Sequence, residues 1–215
     1  MKPYILLNSA MTADGKIAAK NSSTQISGPE DLIRVHKLRK KFDGIMVGIN
    51  TVLIDNPKLS IHKIDCPKKF NPTRIIIDSK ARTPLNSLVL NDDAETIIIV
   101  SKKASQTNID NLAKLCEVII CGEDQVDLTK AMKKLYDYGI KSILLEGGST
   151  LNFSMFEEKL IDELSICVGS KILGGKDSKT LVDGNGFNEN ETIRLKLKDI
   201  EKLDEDVILH YYVIY

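Results

Sequence analysis

The amino-acid sequence predicts an α/β fold in which a mostly parallel sheet, with helices on both faces, is followed by a C-terminal antiparallel hairpin. Short runs rich in Ile and Val that do not alternate with polar residues are typical of strands covered on both faces. Segments with helical periodicity separate these runs, which favours parallel strands joined by helices. The last third of the chain shows strands without strong helical patterns between them. Because the sequence contains no internal repeat and no low-complexity linker, we expect a single domain over residues 1–215.

The predicted core strands lie, in chain order, at residues 4–8, 44–47, 74–77, 96–100, 118–120 and 142–145. Helical patterns lie near residues 29–41, 108–115, 128–138 and 151–158. Three further strands are predicted at residues 163–169, 192–199 and 207–213. Within the second of these, regular alternation from Arg194 to Lys198 indicates an antiparallel strand with one solvent-exposed face.

The composition argues against several classes of protein. Lys and Arg together number 30, as do Asp and Glu, so no net charge favours binding to nucleic acid or to an anionic membrane. No apolar run approaches the length of a membrane span, and the N-terminus lacks the apolar core of a signal peptide. The four cysteines form no C-x-x-C pair. We therefore expect a reduced cytoplasmic protein whose cysteines form no disulfide and bind no metal.

The clearest landmark is the glycine turn that follows the strand at residues 142–145. An acidic residue, Glu146, ends this strand, two glycines follow, and Ser149 or Thr150 is placed to cap the next helix. Main-chain N–H groups and the positive end of the helix dipole would form a cradle for a cofactor phosphate, at the strand end where open α/β sheets bind ligands. A tight turn with a good N-cap is the alternative, but the acidic side chain is costly there without a ligand or a donor.

The predicted helix at residues 29–41 places one arginine on its apolar face. That face consists of Leu32, Val35, Leu38 and Phe42. Arg39 falls on this face, whereas Arg34 falls on the opposite, basic face. An inward arginine needs an anion, and a substrate phosphate would bind it bidentately. A side chain that extends to solvent, or an internal ion pair, is the alternative.

Hydroxyl and charged residues follow two further strands. Thr51 and Asp55 lie four residues apart on a short predicted helix after residues 44–47, so both can face one ligand. Ser79, Lys80 and Arg82 follow residues 74–77 and can bind a ribose 2′-phosphate or form a solvated loop. No G-x-G-x-x-G follows any predicted strand, which disfavours a classical dinucleotide-binding fold.

These motifs, in this order along nearly the whole chain, resemble the riboflavin-biosynthesis reductases. The segments that carry the resemblance are residues 8–18, 31–39, 44–57 and 143–151. The likeness is greatest to the stand-alone archaeal type of that family. It implies a dihydrofolate-reductase-like sheet, usually in a homodimer, with NADPH preferred over NADH. It also implies hydride transfer to C1′ of 2,5-diamino-6-ribosylamino-4(3H)-pyrimidinone 5′-phosphate, opened to a Schiff base, to give the ribitylamino product.

The resemblance also implies roles for individual residues. For the cofactor it implies contacts from Thr51, Asp55, Ser79, Gly147, Gly148, Ser149 and Thr150. The main chain at Ala10 and Met11 would lie along the nicotinamide, and Lys80 and Arg82 are candidates for the 2′-phosphate. For the substrate it implies Ser23, Arg39 and Glu146, with Ser23 and Arg39 near the ribose phosphate. Glu146 would also be the catalytic residue.

The chain departs from the family pattern at one phosphate contact. Where the fused bacterial enzymes carry an arginine, this sequence has Leu59-Ser-Ile-His62, so His62 or Lys58 would take over that contact. The deaminase motifs of the fused enzymes, H-x-E and P-C-x-x-C, are absent, and we expect neither deaminase activity nor zinc.

Two other functions remain open at this stage. One is a pterin or dihydrofolate-type reductase, which would share the sheet but not require a phosphate ligand at Arg39. The other is a non-enzymatic nucleotide-binding dimer module. The sequence also leaves open whether the pyrimidine is deaminated before or after reduction.

Overall fold

A computed structural model describes residues 1–19 and 25–215 of the chain. In chain order its strands are β1 (Tyr4–Thr12), β2 (Gly44–Gly48), β3 (Thr73–Ile77), β4 (Thr96–Val100), β5 (Glu117–Ile120), β6 (Ser142–Leu145), β7 (Glu163–Gly169), β8 (Arg194–Leu203) and β9 (Asp206–Ile214). Its α-helices are α1 (Pro29–Arg39), α2 (Ile49–Asp55), α3 (Gln106–Leu112), α4 (Leu128–Asp137) and α5 (Ser149–Glu157). These elements divide between two compact units. The first unit comprises Met1–Tyr4 and His36–Leu144, and the second comprises Ile5–Val35 and Leu145–Tyr215.

The first unit contains the parallel strands that the Ile-rich runs predict. Its strand order is β5-β4-β3-β2, all paired in parallel, with β6 next to β2. The interior residues of β3 and β4 are inaccessible to solvent, as expected for strands covered on both faces. Helices α2 and α3 contribute Val52 and Leu112 to the core that contains Ile76 and Ile98. The alternation of strands and helices predicted from the sequence is therefore confirmed.

The second unit contains the predicted change to antiparallel pairing. Its strand order is β1-β7-β9-β8, with β1 parallel to β7 and the last two strands forming an antiparallel hairpin. Helix α5 buries Leu151, Phe153, Met155 and Phe156. The fold class is thus confirmed as α/β, mostly parallel, with a C-terminal antiparallel hairpin.

Two strands differ from their predicted form. β1 continues to Thr12, four residues beyond the apolar run, because Ser9 to Thr12 pair in register with Ile166 to Gly169 of β7. The alternation in β8 predicted one buried face, but both faces are exposed, and Leu195 and Leu197 retain 43% and 50% of their accessible surface. Side-chain alternation reports the pleat of a strand, whereas burial depends on whether another element covers it.

Two of the cysteines, Cys121 and Cys167, are buried, and Cys66 and Cys116 are partly exposed. All four are free, and burial raises the pKa of Cys116 to about 11 and that of Cys167 to about 12. Both thiols are therefore protonated, and unreactive, near neutral pH. Within the described part of the chain, no helix is both long and apolar enough to span a bilayer.

Candidate active site

The glycine turn lies in the second unit, between β6 and α5. Gly147 has φ +91°, a left-handed conformation that side-chain-bearing residues rarely adopt. Gly148 precedes the first turn of α5, and no side chain caps that helix. The peptide bond between the two glycines is cis. The first N–H groups of α5 therefore have no side-chain acceptor, as an anion cradle requires.

Neither Ser149 nor Thr150 caps α5, contrary to the prediction from the sequence. Helix α5 begins at Ser149 itself, and its hydroxyl donates a hydrogen bond of 2.7 Å to the Asp183 carboxylate. Thr180 donates to the other carboxylate oxygen through its hydroxyl at 2.6 Å. Although burial opposes the shift, the bonds from Thr180 and Ser149 lower the pKa of Asp183. An ionised carboxylate thus holds the Ser149 side chain, and the first turn offers its main-chain N–H groups to a ligand.

Asn152 supports the turn from beneath and was not predicted from the sequence. Its side chain is 1% exposed, and its Nδ2 donates to the Leu181 carbonyl at 2.9 Å. A Cβ on Gly147 would lie 3.5 Å from that Nδ2, in ordinary van der Waals contact. Its Oδ1 is buried and has no partner in the described residues. An asparagine between two apolar residues, Leu151 and Phe153, was the signal available in the sequence.

The end of β1 carries the predicted nicotinamide contacts. Ala10 and Met11 are half-buried and pair with Cys167 and Val168 of β7. Hydrogen bonds to Asp14 hold the turn that follows β1. The Asp14 carboxylate accepts bonds from the Thr12 hydroxyl and from the N–H groups of Leu173 and Gly174. Led by the Thr12 bond, these lower the pKa of Asp14 to about 2. Asp14 therefore ties residues 173–174 to the end of β1 across the pH range in which proteins are stable.

Helix α2 of the first unit carries Thr51 and Asp55, as predicted. The helix spans seven residues, begins after Gly48 and ends at Asn56, which adopts a left-handed conformation. Thr51 is half-buried and Asp55 is exposed in the last turn. Spacing of four residues places both side chains on one face of the helix.

The turn after β3 carries Ser79, Lys80 and Arg82 in the first unit. The Ser79 hydroxyl accepts the Val126 N–H at 3.0 Å, which ties this turn to the loop after β5. Lys80 and Arg82 are exposed, and Arg82 lies 3.9 Å from the buried carboxylate of Asp78. The two cations are available to an anionic group in solvent.

The predicted phosphate residues of the first unit gather at the segment after α2. Arg39 is half-buried, and its Nη1 donates to the Ser60 carbonyl at 2.9 Å. Nδ1 of His62 lies 3.0 Å from the same carbonyl oxygen. Lys58 is exposed two residues before Ser60. The structure thus brings Arg39 and His62 together on one carbonyl, whereas Ser23 lies outside the described residues.

The most strongly bonded arginine of α1 is Arg34, for which the helical pattern predicts a place on the solvent face. Its Nε donates to the buried Asp31 carboxylate at 2.7 Å, its Nη2 to Asn8 at 2.8 Å and its Nη1 to Ser165 at 3.0 Å. The placement of Arg34 on a solvated face was therefore wrong. The physical reason is that buried acceptors surround this position, because Asp31 on α1 and Asn8 and Ser165 on β1 and β7 are all buried and accept from the guanidinium.

The chain also matches a known protein family over most of its length. Residues 3–209 match the family model described as the RibD C-terminal domain. The chain belongs to this family. As a member of the RibD C-terminal domain family, it is 50% identical over 214 residues to the 2,5-diamino-6-ribosylamino-4(3H)-pyrimidinone 5′-phosphate reductase of Methanothermobacter thermautotrophicus, and the match covers 99% of each chain.

Solved structures confirm the fold of this RibD C-terminal domain. A diaminohydroxyphosphoribosylaminopyrimidine deaminase/5-amino-6-(5-phosphoribosylamino)uracil reductase from Thermotoga maritima superposes with a TM-score of 0.81 at 24% identity. The match covers 98% of this chain and 56% of that longer one. Dihydrofolate reductase from Enterococcus faecalis, solved with NADP(H), superposes with a TM-score of 0.53 at 13% identity and covers 98% of this chain. The predicted dihydrofolate-reductase-like sheet is therefore confirmed.

Proposed function

We propose that this protein reduces the ribosylamino side chain of 2,5-diamino-6-ribosylamino-4(3H)-pyrimidinone 5′-phosphate to the ribitylamino form in riboflavin biosynthesis, with NADPH as reductant. The observation that carries the proposal is the 50% identity to the archaeal reductase over 99% of both chains. Membership of the RibD C-terminal domain family, matched over residues 3–209, supports the same reaction class.

The glycine turn fits the phosphates of a nicotinamide cofactor. Gly147 and Gly148 carry no side chain to obstruct close approach, and the uncapped first turn of α5 offers the N–H groups of Ser149 and Thr150. In the first unit, Thr51, Asp55 and Ser79 are the further residues that we assign to the cofactor. The exposed cations Lys80 and Arg82 favour a ribose 2′-phosphate, and hence NADPH over NADH. The main chain at Ala10 and Met11 is assigned to the nicotinamide.

A cluster of basic residues in the first unit, Arg39, Lys58 and His62, fits the phosphate of the substrate. Arg39 is oriented by its bond to the Ser60 carbonyl, and the several N–H donors of a guanidinium allow it to bind more than one acceptor. His62 contacts the same carbonyl, and Lys58 is exposed two residues before Ser60. Ser23 is assigned to this phosphate by its place in the sequence. Glu146, half-buried at the end of β6, is assigned to the substrate in the second unit.

In this mechanism the protein acts mainly by positioning. The bound cofactor supplies a hydride, and the substrate offers C1′ of its ribosylamine as a protonated Schiff base. The carboxylate of Glu146 stabilises that positive charge electrostatically, which favours the protonated form that accepts the hydride. The N–H groups of residues 173–174 donate to the Asp14 carboxylate, which keeps the end of β1 in one conformation.

We also propose a homodimer. Edge strands with apolar side chains usually pair or are covered, because unpaired N–H and C=O groups are a template for association. In the second unit β8 exposes Leu195, Leu197 and Ile200, which retain 43–57% of their surface. A second copy of this chain is the partner we assign to that strand.

A steady-state assay of reduced-nicotinamide oxidation tests the proposal. The ribosylamino-pyrimidine phosphate should support turnover with NADPH, whereas dihydrofolate should not. Turnover of dihydrofolate at a comparable rate would indicate a pterin reductase instead. Absence of turnover with the diamino substrate and with its deaminated form would favour a non-enzymatic nucleotide-binding module.

A further inference from the structure

Three side chains hold the backbone of the segment from Ser60 to His62. The Ser60 carbonyl accepts Nη1 of Arg39 at 2.9 Å. The Ile61 N–H donates to Oδ1 of Asn71 at 2.7 Å, and the His62 N–H donates to Nδ1 of His36 at 3.1 Å. Three consecutive residues are thus fixed, although they belong to no helix or strand. A loop fixed in this way is organised before any ligand arrives.

His36 is built to remain a neutral acceptor. The residue is 4% exposed, and burial, followed by the charges of Arg39, His62 and Lys63, lowers its pKa to about 3. Because its Nδ1 accepts the His62 N–H, that nitrogen carries a lone pair and the ring proton lies on Nε2. The two rings pack edge to face with centroids 4.4 Å apart. His36 therefore fixes both the backbone and the ring plane of His62.

His62 itself is exposed and presents one ring nitrogen outward. Its Nδ1 lies 3.0 Å from the Ser60 carbonyl, which can only accept, so Nδ1 carries a proton. The Ser60 hydroxyl lies 3.5 Å from the same nitrogen. Nε2 then holds a lone pair in the neutral ring and an N–H donor in the protonated ring. Among the described residues no hydrogen bond involves Nε2 of His62.

The groups that face the His62 ring are basic. Burial lowers its pKa, the Ser60 carbonyl raises it, and the charges of Arg39, Lys58 and Lys63 lower it further. The neutral His36 ring packs edge to face against it. A concentration of cations on a pre-formed loop attracts an anion, and an anion bound there would reverse their effect on the imidazole.

We propose that His62 is a proton-linked phosphate ligand: it takes up a proton from solvent at Nε2 when a sugar phosphate binds, and His36 is the positioning residue that aims it. The identity of the ligand as a sugar phosphate rests on the proposed function. An arginine at this place would donate at any pH, whereas His62 donates only when protonated. The affinity gained from this proton should therefore be complete below the pKa of His62 in the free protein and be lost as the pH rises from there through its pKa in the complex.

Nuclear magnetic resonance of the imidazoles tests the proposal without a reductase assay. The chain has three histidines, so the ring signals of His36, His62 and His210 can be resolved in the whole protein. With saturating ribose 5-phosphate the pKa of His62 should rise by about one unit, which equals tenfold tighter binding to the protonated ring. His36 should remain neutral down to about pH 4, and His210 should not respond. Failure of ribose 5-phosphate to bind, or binding without a rise at His62, would overturn the proposal.

Substitutions separate the two histidines. His62→Arg should bind ribose 5-phosphate with no proton uptake, and the ratio of its affinity to that of the wild type should grow about tenfold between pH 5.5 and 8.5. The second ionisation of the phosphate affects both proteins equally and cancels in that ratio. A constant ratio would contradict the proposal.

The substitutions of His36 test whether its Nδ1 must accept the hydrogen bond from the His62 N–H. His36→Leu removes this acceptor. The variant should bind ribose 5-phosphate about fivefold more weakly, the effect of one neutral hydrogen bond, and the pKa of His62 should no longer rise when the ligand binds. His36→Asn places Oδ1 near the position of Nδ1 and should restore both. If Leu and Asn behaved alike, His36 would have no positioning role. If the rise at His62 were present but NADPH oxidation absent, the reductase proposal would fail and the phosphate proposal would stand.

Discussion

The glycine turn offers a substitution whose structural effect can be worked out in advance. Gly147→Ala would force an alanine into φ +91°, a conformation that costs about 1–3 kcal/mol for a residue with a Cβ. The new methyl group would meet Asn152 at 3.5 Å, an ordinary contact, so no steric clash adds to that cost. The strained turn would displace the main-chain N–H groups that we assign to the cofactor phosphates. Loss of one charge-assisted bond to them should weaken NADPH binding by about 1.5–3 kcal/mol, or roughly tenfold to a hundredfold.

Gly139→Ala is the matched control for this experiment. Gly139 follows α4 in the first unit and has φ +110°, and a Cβ added to it would meet no atom within 4 Å. It should lose a similar amount of stability in urea unfolding, because it suffers the same kind of backbone strain. NADPH affinity, measured by calorimetric titration, should fall for Gly147→Ala and remain unchanged for Gly139→Ala. Equal affinities in the two variants would refute the placement of the cofactor at the glycine turn.

Three further substitutions test other residues. Arg39→Ala should remove about 1.5–3 kcal/mol of substrate binding, which would raise the KM for the phosphorylated substrate roughly tenfold to a hundredfold with little change in kcat. An unaltered KM would show that Arg39 does not contact the phosphate. Glu146→Gln should lower kcat for the reduction while NADPH affinity stays the same; full turnover in that variant would show that its charge has no catalytic role. Arg34→Met should lower the free energy of unfolding by about 3–5 kcal/mol, because it strands the buried Asp31 carboxylate. Asp31→Asn combined with Arg34→Met should recover part of this loss in urea unfolding, and simple additivity of the two losses would speak against an ion pair.

Much of the fold could be predicted from the sequence because burial of strands leaves a local trace. The strands β3 and β4 each contain three consecutive Ile residues, and β7 was predicted with its observed bounds. The end of β1 could not be predicted in the same way. Its last residues are mostly small or polar, and pairing with β7, far along the chain, is what makes them a strand.

The buried arginines show why the polar interior could not be predicted from periodicity. Arg34 finds its partners in β1 and β7, at residues far from α1 in sequence. Arg74 is inaccessible to solvent in β3, and its guanidinium donates to the carbonyls of Leu88, Asn91 and Ala94. A charged residue in a helical or strand pattern is ordinarily assigned to solvent. Only the three-dimensional structure brings the acceptors together.

The candidate site was predictable in part for the same reason. The glycines after β6, and Thr51 with Asp55 on α2, are local motifs, so their elements were predicted correctly. Asp183, Asn152 and His36 act through contacts with residues distant in sequence, and no local pattern marks those contacts. Their roles depend on which donors and acceptors the fold leaves beside the predicted residues.

The most direct test of the account is to follow the transferred hydrogen. NADPH that carries deuterium at both hydrogen positions of the nicotinamide C4 would be incubated with the ribosylamino-pyrimidine phosphate and the protein. Mass spectrometry and nuclear magnetic resonance of the product should show one deuterium, located at C1′ of a ribitylamino chain. A product without deuterium, or with deuterium on the pyrimidine ring, would contradict the reduction we propose.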